Sequence, residues 1–156
     1  GGVDDEEYGA ECHALVETLG VRDLIFTGRV NVVEYMEKLD FTILTSISEG
    51  QPLSVLESLA ARRPCVTTEV GCCRELLEGA PGDDFGVAGF VTPPMYRKGL
   101  ADAMELMCVS RARRIEMGER GQRRVATYFL HEQMLANYRA LYDETARAFN
   151  LPREGE

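Results

Sequence analysis

Two glutamates, Glu49 and Glu57, bracket the run Glu49-Gly50-Gln51-Pro52-Leu53-Ser54-Val55-Leu56-Glu57, which follows the short apolar stretch Phe41 to Leu44. Pro52 has no N–H, and its fixed φ suits the first position of a helix. A helix starting there leaves the amides of Leu53 and Ser54 without internal partners and pointing along its axis. Those amides, with the positive end of the helix dipole, favour an anion such as a phosphate. Glu49 then falls in the loop at the carboxyl end of a strand. Glu57 falls about one and a half turns into the helix and leans back toward the same end. Gly50 and Gln51 can offer backbone amides to sugar hydroxyls, since glycine lets backbone approach a ligand closely. A plain turn glycine would look identical. Two carboxylates meeting one anionic ligand at separate points is the chemistry this spacing allows, although on an ordinary helix such a pair is usually solvated.

The elements that must position these residues follow from periodicity and punctuation. Asp4 to Leu19 carries apolar residues at helical intervals and ends at Gly20. Leu24 to Thr27 reads as a short buried strand, Val32 to Leu39 as a short helix capped by Asn31, and Phe41 to Leu44 as the next strand. The spacing then predicts the motif helix over Pro52 to Ala61, a strand over Cys65 to Thr67 and a short helix over Cys72 to Leu77. A turn-rich loop spans Gly79 to Gly86, and a fourth strand spans Gly89 to Val91. Pro93-Pro94 precedes a helix over Arg97 to Cys108, and helices follow over Arg111 to Phe129 and His131 to Phe149. Strands alternating with helices predict an α/β fold, a doubly wound parallel sheet covered on both faces. Ligands of such sheets bind outside the carboxyl ends of the strands, where the Glu49 loop and the Val70-Gly71 loop both emerge.

Composition bounds the function classes. The chain has 156 residues, 45% hydrophobic and 28% charged, which suits one globular domain with a real core. Its net charge of −9 argues against a nucleic-acid partner, whose backbone rewards clustered cations. The basic run Arg111, Arg113, Arg114, Arg120, Arg123 and Arg124 is interleaved with Glu116 and Glu119 at helical spacing, and reads as a solvated, salt-bridged face. No apolar run approaches the roughly 18 residues of a membrane span and no amino-terminal signal pattern is present, so the chain reads as cytoplasmic. Cys12, Cys65, Cys72, Cys73 and Cys108 lack metal-ligand spacing and read as reduced, mostly buried thiols. Cys72-Cys73 could carry a lowered pKa at a helix start, but a packing or capping role is the preferred reading. His13 and His131 fall in helices far from the motif and read as structural or solvated.

Glu49, seven residues, Glu57, followed by Ala60-Ala61-Arg62-Arg63-Pro64-Cys65-Val66 and Val70-Gly71, resembles the carboxyl-terminal domain of the retaining glycosyltransferases of family 4, which have the GT-B fold. The wider run from Thr27-Gly28-Arg29-Val30 through Leu44-Thr45-Ser46-Ile47-Ser48-Glu49 to Cys73-Arg74-Glu75-Leu76-Leu77 is most similar to the branch that makes the exopolysaccharide Pel. The resemblance covers nearly the whole chain. It implies a donor-binding domain over residues 1–150 with a tail at 151–156. It also implies further strands and a helix before Gly1, and a separate Rossmann-like domain that carries the acceptor site. Those parts would supply the Arg and Lys that neutralise the donor diphosphate.

By the same resemblance Glu49 stabilises positive charge developing at the anomeric carbon, and Glu57 accepts hydrogen bonds from the ribose hydroxyls of a nucleotide-sugar donor, most often a uridine one. Gly50, Gln51, Pro52, Leu53, Ser54 and Gly71 complete the donor site, and Arg29-Val30 matches the position against the nucleobase. Arg29 is equally well read as a surface residue. No cofactor and no metal are expected. The implied activity is retaining hexosyl transfer to a growing exopolysaccharide beside a membrane synthase complex, with this piece inactive alone and prone to self-association through an open sheet edge. Arg62 stands where the family usually has glycine, so the end of the motif helix is expected to be rebuilt or mildly strained, at roughly 1 kcal/mol or more. Another enzyme on the same fold, such as a nucleotide-sugar epimerase or a phosphorylase, and a non-catalytic nucleotide-binding or partner domain are the competing readings. A glycosidase fits less well, because it needs two carboxyls across one bond and no phosphate site.

Overall fold

A computed structural model describes residues 5–149. It divides into two compact units, up to Lys38 and from Leu39 onward. Asp4, expected as the first residue of the opening helix, and the tail at 151–156 lie outside the described residues.

In the first unit α1 spans Glu6–Thr18 and α2 spans Val32–Met36. Asp5 caps α1 by accepting the Tyr8 N–H at 3.0 Å, and Glu6 and Glu7 place negative charge at the positive end of its dipole. Asn31 caps α2 as expected, accepting from the Val33 N–H at 3.2 Å while its amide donates to Glu34 at 2.8 Å. The expected strand at Leu24 to Thr27 is not formed. A strand needs a neighbour to take its N–H and C=O groups. Here no ladder forms and Ile25 is 82% exposed. The run is therefore neither a strand nor buried: it is an exposed loop, with Phe26 packing its ring 4.0 Å from that of His13.

The second unit is built on a three-stranded parallel sheet in the order β1 (Thr42–Leu44), β2 (Cys65–Thr68), β3 (Gly89–Thr92). Thr42 pairs with Cys65 and Cys65 with Gly89, so the strands are in step. Successive residues of β2 face opposite ways, and two cores result. Cys65 joins Val55 and Leu59 of α3 (Leu53–Ala60) and Leu76 and Leu77 of α4 (Cys73–Glu78) on one face. Val66 joins Ala103 and Met107 of α5 (Arg97–Val109) and Met117 of α6 (Arg111–Tyr128) on the other. The sheet is therefore doubly wound, as expected. The last helix, α7 (His131–Ala148), has no buried residue.

The end of α3 and the path of α6 are fixed together. Arg62 takes the left-handed conformation at φ +59°, and the Arg62 and Arg63 amides close the helix on the Leu59 and Ser58 carbonyls. A left-handed turn that would be cheap for glycine is thus taken by an arginine, whose Nε donates to Gln122 at 2.8 Å. Helix α6 lies so close above this turn that a Cβ on Gly118 would fall 2.2 Å from the Arg62 carbonyl oxygen.

One residue corrects the reading of the basic run as a solvated face. Arg124 is 1% exposed. Its guanidinium makes five hydrogen bonds: two to the Asp83 carboxylate and one each to the carbonyls of Leu76, Leu77 and Gly86. A guanidinium has five N–H donors, and all are used here. Helical spacing shows which residues share a face, but not that the Gly79 to Gly86 loop would fold back over this one.

Candidate functional site

The loop between β1 and α3 is held from three sides. Thr68, at the end of β2, donates its hydroxyl to the Ser46 carbonyl at 2.5 Å, and the Ser46 hydroxyl donates to Glu49 Oε1 at 2.7 Å. The Cys72 N–H donates to the Gly50 carbonyl at 3.0 Å. Gly71 sits at φ +49°, and a Cβ there would lie 2.0 Å from the Gly50 oxygen and 2.5 Å from that of Glu49. Only glycine lets these two loops touch in this way. Gly71 therefore shapes the Glu49-Gly50 turn through its backbone. At Gly50 itself a Cβ would meet nothing within 4 Å, so the space beside this turn is open.

Helix α3 is carried by a side-chain network beneath the loop. Thr42 of β1 hydrogen-bonds Ser58 of α3 at 2.8 Å, and Ser58 donates to the Arg63 carbonyl at 2.9 Å. Pro52 caps the helix and does not begin it: at φ −71° and ψ 112° it is extended, and its carbonyl accepts from the Val55 and Leu56 amides. The expectation that proline would occupy the first helical position is corrected by that extended ψ. The consequence for the site is unchanged. Pro52 offers no capping side chain, and the amides of Leu53 and Ser54 take no backbone partner among the described residues.

Glu57 is exposed on the same helix, and its carboxylate has no hydrogen-bond or ion-pair partner among the described residues. The structure thus gathers Glu49, Gly50, Gln51, Pro52, Leu53, Ser54, Glu57 and Gly71 on one loop, one helix start and the loop that braces them. Arg29 and Val30 belong to the first unit, where they precede α2, with Arg29 exposed and Val30 half-buried.

Two cavities open in the second unit. One of about 460 Å³ lies at the carboxyl ends of all three strands, lined by Thr45, Thr68, Thr92, Tyr96 and Arg97 among others. A larger groove of about 710 Å³ runs from Gln51, Leu53 and Leu56 to His131, Met134 and Tyr138. His131 therefore lies near the motif, and its reading as remote is corrected. The sequence distance between position 131 and position 51 hid the return of the chain after α6. Neither cavity is lined by Glu49 or Glu57.

The environment of the paired cysteines disfavours their thiolates. Burial pushes the Cys72 thiol above its ordinary pKa, against the opposing effect of a hydrogen bond with the Gln51 side chain, and burial likewise raises Cys73. Cys72 makes no side-chain capping bond to α4, so the alternative of a capping role is not realised; Cys73 packs in the core.

Sequence reasoning gave Ser46 and Thr68 no role of their own. The signal for Ser46 was its place three residues before Glu49, close enough across a turn for the two side chains to meet. Thr68 gave no signal, because its contact is made across the sheet.

Residues 1–108 match the family model of the glycosyl transferases group 1. The chain belongs to this family. Among curated proteins it is 30% identical over 136 residues to the N-acetyl-alpha-D-glucosaminyl L-malate synthase of Bacillus anthracis, covering 85% of this chain and 34% of that protein. Among solved structures it resembles the sucrose-phosphate synthase of Thermosynechococcus elongatus, with a TM-score of 0.81 at 22% identity over 95% of this chain and 38% of that one. It also resembles Anabaena HepE, solved with UDP-glucose, with a TM-score of 0.72 at 20% identity over 88% of this chain and 38% of that one. The chain thus spans about a third of the length of the curated relative. The structural likenesses agree with the doubly wound sheet described above. Among the described residues no helix is long and apolar enough to cross a membrane.

Proposed function

We propose that this chain is the donor-binding domain of a retaining glycosyltransferase that moves a hexose from a uridine diphosphate sugar to a growing exopolysaccharide of the Pel type. One observation supports the donor site above all. Among the described residues the amides of Leu53 and Ser54 at the start of α3, and the carboxylate of Glu57 further along the same helix, take no partner, and the braced carboxylate of Glu49 sits in the loop just before that helix. The amides suit a phosphate, Glu57 suits the ribose hydroxyls, and Glu49 suits the sugar. HepE, a structural neighbour, was solved with UDP-glucose, which agrees in kind with that ligand.

In this reading the sugar–phosphate bond breaks and positive charge grows at the anomeric carbon, where the Glu49 carboxylate opposes it. The leaving diphosphate takes up negative charge beside the α3 amides and needs further cations from outside this domain. The acceptor must also be positioned by a facing domain. The domain alone is therefore expected to bind uridine diphosphate weakly, with a Kd of roughly 0.1–1 mM or poorer, and to transfer no sugar. Titration calorimetry with uridine diphosphate tests the first statement, and product assays with radiolabelled sugar donors test the second. Sugar transfer by the domain alone would overturn the proposal, as would an inverted anomeric centre in the product of the intact protein.

A further inference from the structure

Glu49 would be a poor electrostatic partner if it were loose. A glutamate has several rotatable bonds, and ordering it during the reaction would raise the barrier. The structure gives it a fixed support. Thr68 is 5% exposed at the end of the central strand, and its hydroxyl reaches the Ser46 carbonyl at 2.5 Å. Ser46 is half-buried and turns its hydroxyl to Glu49 Oε1 at 2.7 Å, near the short range of an O–H bond to a charged carboxylate. The chain of contacts runs from the central strand of the sheet, through a loop backbone, to one carboxylate oxygen. The other oxygen, Oε2, takes no hydrogen bond among the described residues.

We propose that Ser46 and Thr68 are positioning residues for the reaction: they fix the direction of the Glu49 carboxylate, one oxygen held by Ser46 and the other presented to the sugar. The inference rests on the reading of Glu49 in the proposed function. Both hydroxyls are engaged within the protein, that of Thr68 by the Ser46 carbonyl and that of Ser46 by Glu49. Their loss therefore acts on turnover, while donor binding through the Leu53 and Ser54 amides and Glu57 is retained.

The test is steady-state kinetics on the intact transferase with a uridine diphosphate sugar as donor, comparing Ser46→Ala, Ser46→Thr, Thr68→Val and Glu49→Gln. Ser46→Ala is expected to lower kcat roughly tenfold, the scale of a side chain left to order itself, with the donor KM little changed. Ser46→Thr restores the hydroxyl and should recover most of the loss, which a general packing defect would not do. Thr68→Val keeps the shape of the side chain and removes only the hydroxyl. It should lower kcat in the same direction, and it keeps the question open to decision if Ser46→Ala does not fold. Adding Ser46→Ala to Glu49→Gln should cost nothing further, because the group being positioned is already gone. Wild-type kcat in both Ser46→Ala and Thr68→Val, alongside a large loss in Glu49→Gln, would overturn the relay and leave the reading of Glu49 standing. Wild-type turnover in Glu49→Gln would overturn both.

Discussion

In the intact transferase, Glu49→Ala is expected to lower kcat by roughly a hundred- to a thousandfold, the usual scale for removing one preorganised group that opposes transition-state charge. Donor affinity should change little. Glu57→Ala is expected to do the reverse: losing a charged acceptor for the ribose hydroxyls costs about 1.5–3 kcal/mol, or roughly 10- to 150-fold in donor affinity, with turnover at saturating donor nearly unchanged. The division follows from place. Glu49 sits in the loop with one oxygen held by Ser46, whereas Glu57 stands exposed on α3 with no partner among the described residues. Calorimetry and steady-state kinetics on the two variants separate the roles. Equal effects of both changes on binding, with none on turnover, would contradict the assignment.

The second large effect concerns the fold that carries the site. Arg124→Leu is expected to destabilise the domain by about 3–5 kcal/mol, because it leaves the Asp83 carboxylate buried and unpaired and orphans three backbone carbonyls. That is a large share of the roughly 5–15 kcal/mol that holds a typical domain together. The same pair gives stability a pH dependence. Hydrogen bonds from Arg124 hold the Asp83 carboxyl below the ordinary carboxylate range; burial opposes this and the Phe85 N–H assists it. A carboxyl whose folded pKa is depressed stabilises the fold fully above its unfolded value, about 3.9, and ceases to do so as pH falls through the folded value. Wild type should therefore lose stability as the pH drops below about 4, and Asp83→Asn should be less stable at pH 7 with a shallower acid dependence. Denaturant melts from pH 7 to pH 2.5 check both. A loss under about 1 kcal/mol for Arg124→Leu, or parallel acid profiles for wild type and Asp83→Asn, would contradict this account.

Much of the site was legible because its chemistry is local. The strand, the glycine turn and the helix behind Pro52 lie within twenty residues, and each follows from a short-range rule about apolar runs, turn residues or proline. The α/β alternation likewise announced helices on both faces of a parallel sheet, which Cys65 and Val66 realise by facing opposite cores. The misreadings fall where distant parts of the chain meet. Leu24 to Thr27 has a strand's composition, but a strand is a property of a pair, and no described neighbour completes it. Arg124 has the spacing of a surface residue, yet a loop some forty positions earlier encloses it. Thr68 and His131 approach the motif only through the return of β2 and of α7. From sequence Gly71 reads as a ligand contact, whereas its left-handed φ and its closeness to the Gly50 carbonyl give it a bracing role as well.

The most direct test of the donor site is a titration of this domain with uridine diphosphate, followed by amide chemical shifts residue by residue. The account predicts that the Gly50, Gln51, Leu53, Ser54 and Glu57 amides move most, with Leu53 and Ser54 shifting downfield as their N–H groups bind phosphate, and that Glu57→Ala weakens the response. Shifts confined to the groove around His131 and Tyr138, or to the cavity beside Tyr96 and Arg97, with the Glu49 to Glu57 segment unmoved at saturating nucleotide, would contradict it.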